Sequence, residues 1–240
     1  MIERTSPQSA ADIFARLVNR LAEWMIAHWL LIALGFLGLW NLLPWLAPVF
    51  MHWGWTLPAK VIYTIYVFFC HQLPQRSWFL FGKQFTYSYQ DIVYAIQGNY
   101  EYMIPLKMRA FIGNETMGWK LAWSDRMVSF YGGWFLVGVV YAVVRKRWRG
   151  FSLTVAILLM LPLALDGGTH MLSDLGGLRT GFRESNAWLA ALTHHAFAPE
   201  FYQGDQWGSF NSIARLVTGL LGALGLIGFA FPYIDRALER

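Results

Sequence analysis

The chain has 240 residues, 56% of them hydrophobic and only 14% charged, with 18% aromatic residues including 13 Trp. Soluble domains run near about 45–50% apolar and about 25% charged, so these proportions exclude a disordered chain, a disulfide scaffold and an ordinary soluble enzyme. Nineteen lysines and arginines against fourteen acids give +5, but the basic residues lie between apolar runs, where they act as topology signals, which argues against nucleic-acid binding. The expected fold class is all-α: a polytopic helical protein of the cell membrane with about five transmembrane helices and an N-terminal amphipathic helix.

Over residues 1–24, Ile13, Phe14, Leu17, Leu21 and Trp24 recur at helical spacing opposite Asp12, Arg16, Asn19, Arg20 and Glu23. That pattern fits an amphipathic helix on the membrane surface, or equally the soluble first turns of one long helix. The layout of a secretory signal is lacking. Residues 25–240 read as a single helical membrane domain. Its apolar runs are Met25 to Phe50, Leu57 to Pro74, Met127 to Val144, Gly150 to Met171 and Leu216 to Ile234, each near the length that crosses a bilayer. Asn186 to Pro199 is too short to cross and reads as an interfacial or re-entrant helix. A polar, Tyr-rich segment at about 84–122 reads as an insertion, a natural surface for partner subunits.

Five spans leave the orientation in conflict. The cluster Arg145 to Arg149, with Arg236 and Arg240, favours the cytoplasm, yet Arg16 and Arg20 do too and would then lie outside. Whatever the orientation, segments 75–126 and 172–206 share one side, and the unusual polar residues collect there.

Four polar boxes lie at that face. In Cys70-His71-Gln72-Leu73-Pro74-Gln75-Arg76-Ser77, Pro74 ends a helix. Cys70 and His71 are metal-ligand types, although neighbours on a helix diverge by about 100°; the plainer reading is a polar helix end with Arg76 on lipid phosphate. In Ser124-Asp125-Arg126, Ser124 suits an N-cap and Asp125 the helix dipole, while Arg126 calls for a carboxylate or anion. In Asp166-Gly167-Gly168-Thr169-His170, Asp166 and His170 are spaced i, i+4 on one helical face. A carboxylate inside an apolar run is costly, so the pair reads as a proton relay, a two-ligand metal edge including His170, or an ion pair, for example of Asp166 with Arg215. The last box holds Arg183, Glu184, Ser185 and Asn186, followed by Asn211 and Arg215; His194 and His195 read as headgroup contacts. Gly219, Gly222, Gly225 and Gly228 form a small-residue stripe suited to helix packing. The Asn114-Glu115-Thr116 sequon has meaning only in a secretory setting. No phosphate loop, nucleophile elbow or zinc-protease motif is present.

The boxes CHQLPQRS at 70–77, LDGGTH at 165–170, RESN at 183–186 and RLVTG at 215–219 resemble a family of bacterial and archaeal integral membrane proteins of unknown function. That family carries Cys-His-Gln, Cys-x-Arg-Cys and Asp-Gly-x-Thr boxes. The second stands here as Ser124-Asp125-Arg126-Met127, without either thiol, so a thiolate metal site implied by the resemblance does not carry over to this chain. The resemblance implies membrane location and joint action of the boxes, with no activity attached.

Two functions follow as expectations. One is a site for an anionic lipid or small ligand, bound by His71, Arg76, Arg126, Arg183, Asn186 and Arg215, with Asp166 and His170 as acid–base groups if it is an enzyme. The other is an accessory subunit of a respiratory or photosynthetic complex, packing through 84–122 and the Gly219 to Gly228 stripe. A transporter resting on Asp166 is less favoured, there being no internal repeat. The sequence leaves the cofactor unknown.

Overall fold

The structure, a computed structural model, describes residues 10–96 and 105–238; the remainder of the expected 1–24 helix, part of the 84–122 segment and Arg240 lie outside them. In chain order the elements are α1 (Ala10–Ala27), α2 (Trp29–His52), α3 (Thr56–Tyr66), β1 (Ser77–Leu80), α4 (Tyr89–Ala95), α5 (Pro105–Met108), β2 (Gly113–Asn114), β3 (Gly118–Ser124), α6 (Asp125–Val144), α7 (Leu153–Leu175), the short α8 (Phe182–Ser185), α9 (Ala187–Leu192) and α10 (Pro199–Tyr202), and α11 (Phe210–Leu238).

Among the described residues, four helices are long and apolar enough to cross a membrane: α2, α6, α7 and α11. The fifth expected span is α3, whose 11 residues reach only about 17 Å at 1.5 Å per residue, short of a core about 30 Å thick. α3 instead turns back along α2. The Tyr66 hydroxyl donates to the Trp40 carbonyl, 2.7 Å away and midway along α2, and the ring of Trp40 meets those of Tyr66 and Trp123 at 4.7 and 5.7 Å. The chain then returns through Cys70 to β1, so α2 and α3 form a helical hairpin whose second arm ends beside the middle of α2.

A small antiparallel sheet in the order β1-β3-β2 replaces the all-helical expectation at this end. β3 buries Leu121, Ala122 and Trp123 completely. The 84–122 segment thus supplies part of the core as well as a surface.

The glycine stripe on α11 lies at a helix interface within the chain. A Cβ on Gly219 would stand 2.0 Å from Ser129 Oγ of α6, and one on Gly225 2.8 Å from the Ala156 carbonyl of α7. Both helices therefore approach α11 closely, and the stripe has no free face.

With four long helices, the C-terminal ends of α2 and α7 meet the N-terminal ends of α6 and α11. The opposite end gathers α1, the Arg145–Arg149 loop and Arg236, whose guanidinium donates to the Arg149 carbonyl at 2.6 Å. Asp235 closes that end, accepting from Trp29 Nε1 at 2.8 Å, from Arg145 at 3.1 Å and from the Tyr141 hydroxyl. Every described side chain of α1 is exposed, including Phe14 and Leu17.

Candidate functional site

The polar boxes meet at the end of the bundle that carries the sheet. Arg215, one turn into α11 and 1% exposed, sends Nε to Asp125 Oδ1 at 2.7 Å and Nη2 to Oδ2 at 2.8 Å, across to the first residue of α6. Its Nη1 reaches Asp205 Oδ1 and its Nη2 the Asp205 carbonyl. Arg76 completes the other side of Asp205, with Nε on Oδ2 at 2.7 Å, and forks onto Asp174 at 2.7 and 2.8 Å. Such two-pronged pairs use the planar guanidinium fully. Asp205 would be raised by burial, but Arg76 and Arg215 hold its carboxyl well below the usual range.

Asp166 is the second hub. Arg126 Nη2 donates to Oδ2 and Arg183 Nη2 to Oδ1, each at 2.7 Å, and Thr218 donates to Oδ2 at 3.2 Å. The expected pairing of Asp166 with Arg215 is therefore not made; Arg215 is taken by Asp125 and Asp205. His170 lies one turn above Asp166, with Nδ1 3.1 Å from the Asp166 carbonyl, and Nε2 is 3.4 Å from Arg215 Nη1. Asn186, in the left-handed region at φ 41°, joins α8 to α9. Its amide donates to the Arg183 and Tyr202 carbonyls, both at 2.8 Å, and Asn211 donates to the same Arg183 carbonyl at 2.7 Å. The network thus contains four arginines (76, 126, 183, 215) and four aspartates (125, 166, 174, 205), and the formal charges balance.

Not every predicted residue joins it. His71 stands at the edge, exposed to a cavity; burial of its surroundings, then Arg76, Arg126 and Arg215, hold its imidazole neutral, well below the usual range. Cys70 points away from the network, its sulfur accepting from the Ser124 and Gln72 amides at 3.2 and 3.4 Å. Burial pushes its thiol up, so it is a poor thiolate donor. Cys70, His71 and His170 are not gathered round one point: among the described residues no group of three or more His, Cys, Asp or Glu side chains could hold a metal ion. Ser124 precedes α6 but caps nothing, since its hydroxyl has no partner.

Sequence reasoning missed Asp174, Asp205, Thr218 and Lys120. Lys120, fully buried on β3, donates to the Gln72 and Arg109 carbonyls at 2.6 Å each, and burial lowers its ammonium to about 7. Gln72 has φ 51°, a conformation unfavourable for a residue with a Cβ. Lys120 and the Gln72 Nε2 bond to the Tyr63 carbonyl (2.9 Å) hold that turn and with it the His71 to Arg76 segment.

Between this segment and the end of α7 lies a cavity of about 380 Å³. Its polar wall is His71, Arg76, Arg126, His170 and Asp174, and its apolar wall is Met171, Leu175 and Leu178. Met171 and Leu175 are 63% and 79% exposed on the outer face of α7. Arg126 contributes only Nη2 to the ion pairs, and its buried Nε has no acceptor.

The chain is similar to an uncharacterised protein of Methanocaldococcus jannaschii, MJ1492, at 26% identity over 168 residues, covering 67% of this chain and 81% of that protein. No protein-family model matches the chain, and no solved structure matches it.

Proposed function

We propose that the chain is a multi-pass membrane protein whose cavity beside α7 binds the anionic head of a membrane amphiphile, with the apolar tail leaving along Met171, Leu175 and Leu178. The observation that carries this reading is the pairing of one polar and one apolar wall around Arg126, whose guanidinium gives only Nη2 to the ion-pair network. Guanidinium groups with free donors recognise phosphate and carboxylate oxygens. The boxes act together in this reading: Arg183, Asn186 and Arg215 brace the ion-pair network behind the cavity, Arg76 forms part of its wall, and Arg126 with His71 faces the ligand. Binding is favoured over turnover, because both oxygens of Asp166 are already engaged by Arg126, Arg183 and Thr218, leaving a weak general base.

Native mass spectrometry of the protein, gently extracted and exchanged into mixed micelles containing phosphatidylglycerol or phosphatidylcholine, tests this. Retention of phosphatidylglycerol should fall about tenfold or more in Arg126→Gln, the scale of one charge-assisted hydrogen bond, with phosphatidylcholine unaffected. Equal retention of the anionic lipid by both proteins would sink the proposal.

A further inference from the structure

Gln75 and Arg76 are consecutive, yet they line different cavities. Arg76 faces the one just described; Gln75 lines a second of about 100 Å³ on the other side of Asp205, with Leu178 common to both. Glu184, Gln203, Asp205 and Gln206 also line the second cavity, with Ser88, Tyr89 and Gln90, and Leu178 is the one aliphatic side chain there. A volume of about three water molecules, at about 30 Å³ each, enclosed almost wholly by oxygen-bearing groups, does not suit an apolar or bulky ligand.

Three observations concern its charge. Gln75 is 3% exposed, and its Oε1 is buried with no hydrogen-bond donor. A buried acceptor without a partner costs about 1–3 kcal/mol, so it calls for a donor or a cation. The Glu184 carboxylate, half-buried on α8, makes no ion pair or hydrogen bond with the described residues. Lastly, the four arginines and four aspartates of the network already balance, so an ionised Glu184 beside Asp205 is opposed outside the network by Arg179, over the Tyr89 ring of the same cavity, without a direct ion pair. Burial, reinforced by Asp205, raises the Glu184 carboxyl to about 7, against the opposing pull of Arg76 and Arg179.

We propose that this second cavity is a binding site for a small, hard monovalent cation of the sodium class, ligated by the Glu184 carboxylate and the amide oxygen of Gln75, with the 203–206 loop closing it. Oxygen donors are what hard cations select. With the Asp205 oxygens held by Arg76 and Arg215, Glu184 is the one lining carboxylate without a direct ion pair, and its single charge suits a monovalent ion. The ion would sit against Asp205, whose two oxygens are held by Arg76 and Arg215, and so would fix the α8 and 203–206 segments against the network. This site is independent of the amphiphile cavity and stands or falls separately.

The test is the thermal unfolding midpoint of the full chain in detergent micelles, followed by tryptophan fluorescence, with NaCl replacing choline chloride at constant ionic strength and pH 8. A ligand that binds only the folded state raises the midpoint saturably; a rise of about 2 °C or more is expected. The rise should vanish in Glu184→Gln and shrink at pH 5, where a proton occupies the carboxylate. Should Glu184→Gln fail to fold, Gln75→Met replaces it, and its half-saturating sodium concentration should increase about tenfold. Identical midpoints in sodium and choline, or an undiminished sodium effect in both variants, overturn the proposal. A saturable, Glu184-dependent response to CaCl2 alone overturns the monovalent assignment.

Discussion

Arg215 joins two carboxylates that lie 90 and 10 residues away in the chain, Asp125 and Asp205. A buried pair is weak evidence of net stabilisation, but removal of one partner leaves a buried charge without compensation, at about 3–5 kcal/mol. Arg215→Ala should therefore lower stability by about that amount, read from thermal or chaotrope unfolding in micelles. Arg215→Lys should recover little, because an ammonium cannot span Asp125 and Asp205 together. Much of this site was legible residue by residue. The i, i+4 spacing of Asp166 and His170 placed both on one face of α7, and one further step of four reaches Asp174, a signal present in the sequence and overlooked. Asp205 carried no such signal: it lies in an irregular loop, and only the tertiary approach of Arg76 and Arg215 gives it a role. The partners of Arg215 were equally hidden, since spacing cannot say which of several carboxylates a guanidinium meets.

At the scale of elements, hydropathy identified α2, α6, α7 and α11 but counted the segment from Leu57 to Pro74 with them. Mean apolarity measures how much of a segment avoids water, not whether it turns back; here Tyr66 is bound to the middle of α2 and the helix ends there. The sheet was missed for a related reason. β3 reads GWKLAWS, with a lysine at its third position, and that lysine is accommodated only because two carbonyls from distant segments accept from it. Glycines in α7 and α11 separate packing from permissiveness. Gly225→Ala should destabilise by about 1–3 kcal/mol, since its Cβ would meet the Ala156 carbonyl and Leu159. Gly168→Ala, with nothing within 4 Å of the added Cβ, should be neutral or slightly stabilising in the same unfolding assay. Equal losses at both positions would contradict the packing of α11 described above.

For the whole molecule, four long helices rather than five remove the conflict in charge. If all four cross, α1 with Arg16 and Arg20 lies at the same end as Arg145 to Arg149 and Arg236, so these basic flanks and the short 145–149 connector agree on one side. The other end carries its lysines and arginines in the long 53–124 and 176–209 segments. The α1 end is expected in the cytoplasm, and the two cavities on the opposite face. Because Cys70 is buried, cysteines introduced at the exposed positions Lys146 and Glu200 can be labelled against little background. A membrane-impermeant maleimide applied to intact cells should reach Glu200→Cys and spare Lys146→Cys; labelling of both would contradict the four-span arrangement.

The ion-pair network also sets a schedule for biogenesis. Asp125 opens α6, but its guanidinium partner on α11 is made 90 residues later, about 5–18 s at a synthesis rate of about 5–20 residues per second. Asp166 receives Arg126 from the chain already made, yet waits for Arg183 and Thr218. During that interval Asp125 on α6 lacks its guanidinium altogether and Asp166 on α7 has only Arg126, so the ends of both helices carry carboxylates whose final partners are not yet made. A nascent chain stalled before residue 215 should consequently be held by the insertion machinery, and release of the hairpin should coincide with the emergence of α11.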